Sequence, residues 1–476
     1  MNKSLRETLL NVRQRALAAG RTCYGAVVLL LSVGSICRAQ EVSTPPPQPP
    51  QLVSCGMFSD SRVSPLLLPQ REPAAIRIMP SRYRDLLQAQ EGYNRSGVYL
   101  VAYDGSDFVP AGFSDDSGMY YYIVLIGRLF HLSLAQSVSI FFMSILVASG
   151  VVGAVGLLSA LQSPKSKIVA LSILGALTIL AYRMGDVYVF EFAVPIAVIP
   201  WVWWQIRQRS QSWRTTVLLA VVGMIIGWAT TVRTAAGIPT LLLVLVLIAT
   251  KFKVENRTKV VFASLVLATV LAPILWLHHV ESNRNDFLLS HTEIPKVDLT
   301  RHVFWHLAYT GLGFLSNPYV PGGVCDDVAK AKVQAIAPGT PYLSRRYDEV
   351  LRHEVVAIAS QHVSLVVFAV AAKLGVVVVI VAIFGSVGLI AALIRSPDGK
   401  VWATFSPGLV AAAMPVILLA PSPPYLMSVI TLSAMAGVFC LDEVLHPAFA
   451  TGTQAVELER AKCVTWLDSV HSGTSV

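Results

Sequence analysis

Charge is what this chain has least of. Lys, Arg, Asp and Glu supply 14% of its 476 residues, against about a quarter in a soluble domain. So few ionised groups cannot clothe a water-facing surface of this size, which excludes an ordinary soluble enzyme. Cysteine is also scarce: six residues, scattered along the chain, are too few for a disulfide scaffold. The sequence has no Walker-type phosphate loop, which speaks against an ATP-driven pump. It has no internal repeat.

What fills the space is hydrocarbon. Hydrophobic residues make up 54% of the chain and the mean hydropathy is +0.61. Runs of about 20 apolar residues, the length that crosses a bilayer core, recur along it. Bounded by charge, they fall near 22–38, 137–160, 168–183, 188–204, 215–232, 236–250, 260–277, 374–394, 402–420 and 424–441. The fold expected is an all-α polytopic membrane protein with about ten transmembrane helices in a domain over 22–441.

Basic residues set the orientation. Lys3, Arg6, Arg13, Arg15 and Arg21 precede the first run. Lys165 and Lys167, then Arg207, Arg209 and Arg214, then Lys251, Lys253, Arg257 and Lys259, then Arg395 and Lys400, fall in alternate loops. By the positive-inside rule these are cytoplasmic, together with both termini, 1–21 and 442–476. The net charge of +9 is thus a topology signal, and no nucleic-acid partner is implied. The first run, with small residues near Ala39, also reads as a signal peptide. Either way the segment after it goes outside.

Two long segments are then expected to face outward and to carry interfacial helices: about 40–136, opening on the Pro-rich spacer STPPPQPPQ, and about 278–373. Loops carry function more often than spans do. Cys55 and Cys325, one in each segment, form either a bridge or two thiols; Cys23, Cys37 and Cys440 read as apolar filler in spans.

The first segment ends in FSDDSGMYYYIVLIGRLFHL. Residues 119–135 read as a helix lying in the interface, its apolar face broken by Arg128 and His131. Asp115 or Asp116 stands at its start, where a helix favours an anion. A cap needs one acid, yet Asp104 and Asp107 lie just upstream, so the group also suits a general base or a divalent metal. Arg233, in GWATTVRTAAGIPTLLL, sits between two runs with almost no loop; it either snorkels or holds a phosphate. In LAYRMGDVYVFEFAVP, Arg183, Asp186 and Glu191 share a hairpin tip, either as a functional group or as an Arg183–Glu191 or Arg183–Asp186 pair.

In the second segment His302 and His306 have the spacing of one helix face, but the glutamate of a zinc-protease motif is missing. Arg345, Arg346, Arg352 and His353 form a basic helix edge. Lys373 enters the eighth run from outside, where it can meet an anionic lipid head group.

The stretch SDDSGMYYYIVLIGRLF resembles the acid-then-aromatic motif of the GT-C superfamily of integral-membrane glycosyltransferases, and TTVRTAAGIPTLLL is similar to an arginine–glycine hairpin later in that family's core. Relatives include protein O-mannosyltransferases and the aminoarabinose transferases of lipid A. The chain has Asp-Asp where the commonest form has Asp-Glu. The resemblance implies an inverting transfer of a sugar from a polyprenyl-phosphate donor to a hydroxyl of a lipid, protein or glycan, at the periplasmic or exterior face of a bacterial inner membrane. It implies Asp116 or Asp115 as base, Asp107 as third choice, and Arg233 and Lys373 as phosphate holders. Arg183, Glu191, His302, His306 and Arg352 become supports or sugar contacts. No cofactor is firmly implied, and a divalent metal stays open. The alternatives are a polytopic transporter or lipid flippase, and a non-catalytic envelope assembly protein.

Overall fold

The structure, a computed structural model, describes residues 76–112, 116–208, 213–299, 301–321, 323–395 and 400–446. The run at 22–38, the Pro-rich spacer, Cys55 and Asp115 lie outside these residues.

The first long segment holds α1 (Pro80–Ser96), a hairpin of β1 (Val101–Tyr103) and β2 (Phe108–Pro110), and α2 (Gly118–Phe130). Six helices follow: α3 (Leu134–Ala160), α4 (Pro164–Met184), α5 (Val189–Gln208), α6 (Trp213–Val232), α7 (Thr234–Lys251) and α8 (Asn256–His291). The second segment contributes α9 (Phe304–Leu312), α10 (Asp326–Ile336) and α11 (Arg345–Gln361). The chain closes with α12 (Val363–Phe384), α13 (Ser386–Arg395), α14 (Lys400–Leu418) and α15 (Pro423–Leu445). Among the described residues, nine helices are long and apolar enough to cross a membrane: α3 to α8, α12, α14 and α15. The protein is an all-α, multi-pass membrane protein.

Helices α5 and α15 form the centre, each 83% buried over its apolar window, whereas α12 is 11% buried and stands at the rim. Without a hydrophobic drive between helices in lipid, close backbone approach does the packing. The sequence GMIIG shows how: Gly223 and Gly227 bring α6 so near α8 that a Cβ on either would collide with Thr269 or Val270. At one end of the bundle the α3–α4 turn is fixed by Asp442 of α15, which accepts from the Ser163 N–H at 2.9 Å and from Arg207 Nη1 at 2.7 Å.

Four boundaries differ from expectation. The interfacial helix of 119–135 stops at Phe130, because His131 takes a left-handed φ of 52°. Ser133 and Gln136 then cap α3 reciprocally. The run of 260–277 continues as α8 to His291, since Val280, Arg284 and Leu288 keep one face buried beyond the apolar part. The run of 374–394 is two helices: α12 starts at Val363 and ends at Phe384, just before Gly385, and α13 packs Gly388 against Gly437 of α15. The tail expected from 442 starts later, because α15 carries Asp442 inside the helix and ends at Leu445.

Alternation of the spans puts the segments 76–133 and 292–362 at the same end of the bundle, opposite the Asp442 clamp.

Candidate functional site

At that end two arginines from distant parts of the chain meet one tyrosine. Asp186 opens the short 3-10 turn Asp186–Tyr188 with φ +57°. Its Oδ2 accepts from Arg82 Nη1 at 2.8 Å and from the Met79 N–H at 3.2 Å; its Oδ1 accepts from the Val187 N–H at 2.8 Å. Those bonds hold a sparsely populated backbone conformation in place. Glu191, in the first turn of α5, accepts from Arg233 Nε at 3.1 Å on one oxygen and from the Ser428 N–H at 3.3 Å on the other. Arg82 and Arg233 both lie over the Tyr188 ring, at 5.5 and 5.0 Å, and Arg233 also covers Tyr425 at 5.5 Å. Such contacts stabilise a cation by about 0.5–2 kcal/mol each. The terminal amino groups of Arg233 make no hydrogen bond among the described residues.

Asp116 has a different task from the one its position before α2 suggests. The residue preceding α2 is Ser117, and no side chain caps that helix. Asp116 instead accepts from the Thr234 N–H at 2.9 Å and from Thr234 Oγ1 at 3.0 Å, closing the start of α7 directly beside Arg233. Its Oδ1 also accepts from Arg301 Nη2 at 2.7 Å, which ties in the second segment. Ser117 donates to Glu281 of α8.

The second segment carries a buried histidine with both ring nitrogens engaged. His306, 3% exposed, meets the Tyr347 hydroxyl at 2.9 Å through Nδ1 and Asp326 Oδ1 at 3.1 Å through Nε2. Burial raises the Tyr347 hydroxyl above the ordinary tyrosine range, with the Asp326 charge adding to it, so the phenol stays protonated. Cys325, next to Asp326, is disulfide-bonded; the expected partner, Cys55, lies outside the described residues.

The structure brings Arg233, Glu191 and Asp116 together and leaves other expected residues elsewhere. The pairs of Arg183 with Glu191 or Asp186 do not form: Arg82 and Arg233 take those acids, and Arg183 is exposed. Asp107 sits in the hairpin turn, where its N–H and that of Ser106 bind the Asp104 carboxylate and hold it below the usual range. His302 and His306 do not share a helix face, because α9 begins at Phe304; His302 Nε2 is buried without a partner among the described residues. Arg345 and Arg346 pair with Glu349, and Arg352 is exposed. Lys373 is not at a helix mouth. It is buried inside α12, donates to the Ile417 carbonyl at 2.9 Å and lies 5.9 Å from the Phe314 ring. Among the described residues no three His, Cys, Asp or Glu side chains converge as metal ligands.

Arg82, Tyr188, Arg301, Asp326, Tyr347 and Tyr425 were not singled out from the sequence. Arg82 and Arg301 carried no signal beyond being cations in long loops. Tyr188 and Tyr425 lie at span ends and read as ordinary interfacial aromatics.

No family model, curated relative or solved structure matches this chain. Fold and composition define a multi-pass α-helical membrane protein.

Proposed function

We propose that this protein is an integral-membrane glycosyltransferase of the GT-C type, moving a sugar from a polyprenyl-phosphate donor to an acceptor hydroxyl at the outer membrane surface. The observation that carries the reading is Arg233: its Nε is neutralised by Glu191, while its terminal nitrogens make no bond among the described residues and lie beside Tyr188 and Tyr425. A guanidinium held in this way can receive two phosphate oxygens as negative charge builds on the leaving group. Tyrosine faces suit a sugar ring, and the adjoining apolar spans suit a polyprenyl tail.

In this reading the hydroxyl oxygen attacks the anomeric carbon and its proton passes to a carboxylate. The bond from the anomeric carbon to the phosphate oxygen breaks, and the electron pair leaves with the phosphate. Asp115 and Asp116 remain candidates for the base, Asp116 being already bound by Thr234 and Arg301. The disulfide at Cys325 supports placing this end of the bundle in an oxidising compartment. Mass-spectrometric profiling of glycans and glycolipids with and without the gene tests the proposal. Loss of one glycoform, restored by the native chain and not by Arg233→Gln, is expected; an unchanged profile sinks it.

A transporter or flippase is the second reading, favoured by the buried Glu191–Arg233 pair, which sits where a coupling pair would. Lipid or sugar flux in liposomes without a covalent product would select it.

A further inference from the structure

Lys373 is a buried charge with no part in the transfer proposed above. It is 2% exposed, lies within the span α12, and forms no ion pair among the described residues. A charge at that depth is costly, and its retention points to a function. What its Nζ meets is the Ile417 carbonyl at 2.9 Å. Ile417 lies in the last turn of α14, where helix carbonyls lack partners and carry partial negative charge. The residue four further on, which would donate to Ile417 in a continuing helix, is Pro421 and has no N–H. Lys373 takes its place.

The carbonyl that Lys373 holds opens a stiff connector. Seven residues, LLAPSPP, separate Ile417 from Tyr425, and three of them are prolines with fixed φ. Leu419 and Ala420 are buried; the Ser422 N–H donates to the Ala420 carbonyl at 2.8 Å and the Tyr425 N–H to the Ser422 carbonyl at 3.1 Å. At the far end the Tyr425 ring lies 5.5 Å from the Arg233 guanidinium, and three residues later the Ser428 N–H donates to Glu191 at 3.3 Å. The start of α15 thus touches both members of the Glu191–Arg233 pair. The second long segment bears on the same connector: Gly311 of α9 approaches so closely that a Cβ there would collide with the Leu418 carbonyl.

Resting on the reading of Arg233 as the phosphate-holding residue, we propose that Lys373 is a positioning residue for the lipid phosphate. Through the α14–α15 connector it sets where Tyr425 stands against the Arg233 guanidinium, while its own ammonium stays on the Ile417 carbonyl and does not touch the phosphate. A glycine-rich connector would absorb a displacement at Ile417; one stiffened by Pro421, Pro423 and Pro424 passes it on to Tyr425. The positive charge strengthens the hold on the negative end of α14 beyond what a neutral donor would give.

The test measures binding of tritiated polyprenyl phosphate, the lipid product of the transfer, to the purified full chain in detergent. Lys373→Met keeps the side-chain length and removes a charge without a counter-ion, so it is expected to fold with a melting temperature at or above native. Its Kd should rise about tenfold, the scale of a lost cation–π contact. Tyr425→Leu should weaken binding by a similar factor, and the double variant should bind no more weakly than Tyr425→Leu alone, because both changes lose the same contact. A Kd for Lys373→Met within about twofold of native would overturn the assignment. So would multiplied losses in the double variant, the mark of direct contact between Lys373 and the phosphate, or a melting temperature clearly below native, the mark of a structural tie. No binding by the native chain, or binding that Arg233→Gln leaves unchanged, would instead overturn the reading of Arg233 as the phosphate-holding residue.

Discussion

Asp116 closes a helix that begins 118 residues further along the chain, binding the N–H and the hydroxyl of Thr234 while its Oδ1 also holds Arg301. One side chain thus joins the first long segment, the start of α7 and the second long segment, immediately beside the arginine that Glu191 pairs.

Removing that junction has a defined cost. Asp116→Ala should lower stability by roughly 1–2 kcal/mol, combining a lost helix cap and a partly exposed ion pair. Thermal unfolding in detergent measures it, and proteolysis should open 292–362 first. Arg301→Ala in the Asp116→Ala background should add little, because both lose the same contact; fully additive effects would show that the pair is not coupled.

The Glu191–Arg233 pair should behave as a buried one. Glu191→Gln leaves Arg233 without its counter-charge and should destabilise the protein by about 3–5 kcal/mol. The double variant Glu191→Leu, Arg233→Met should regain most of that stability yet show no transfer. A double variant as unstable as the single one would contradict the arrangement.

Helix approach at Gly227 leaves no room for a side chain, since a Cβ would meet the Val270 carbonyl and Pro273. Gly227→Leu should therefore cost at least the about 1–3 kcal/mol of an overpacked core. Gly175, with open space around it, is the control: Gly175→Ala should be neutral or slightly stabilising. Equal melting temperatures for the two variants would refute the close contact.

Burial pushes Tyr99 and Tyr309 up to about 12. An unfolded tyrosine ionises near 10. Between these values the folded chain holds more protons than the unfolded one, so stability falls as pH rises. The contribution is whole below about 10 and lost by about 12. The phenolate absorbance should accordingly appear late and in step with unfolding. Early ionisation without loss of structure would show that the rings are solvated.

Much of the architecture was readable in the residues themselves. The apolar runs near 137–160, 168–183, 188–204, 215–232, 236–250, 402–420 and 424–441 all reappear as helices, within a few residues of the expected ends. Lys373 misled the reading of α12, because a charge was taken as a boundary when the helix had room to bury it against the Ile417 carbonyl. His302 and His306 misled in the other direction: their spacing is helical, but α9 begins between them.

The sequence by itself determined that the chain lives in a membrane, because crossing hydrocarbon needs only a local run of apolar residues of sufficient length. It also marked Asp116, Glu191 and Arg233 as costly groups requiring a reason. Tertiary structure alone decided their partners. Asp186 is met by Arg82, 104 residues away, and not by the nearby Arg183; Asp116 is met by Arg301 across 185 residues. A charge at the membrane is satisfied by whichever side chain helix packing brings within reach. That packing depends on close backbone contacts, such as those of Gly223 and Gly227 with α8, which no local pattern encodes.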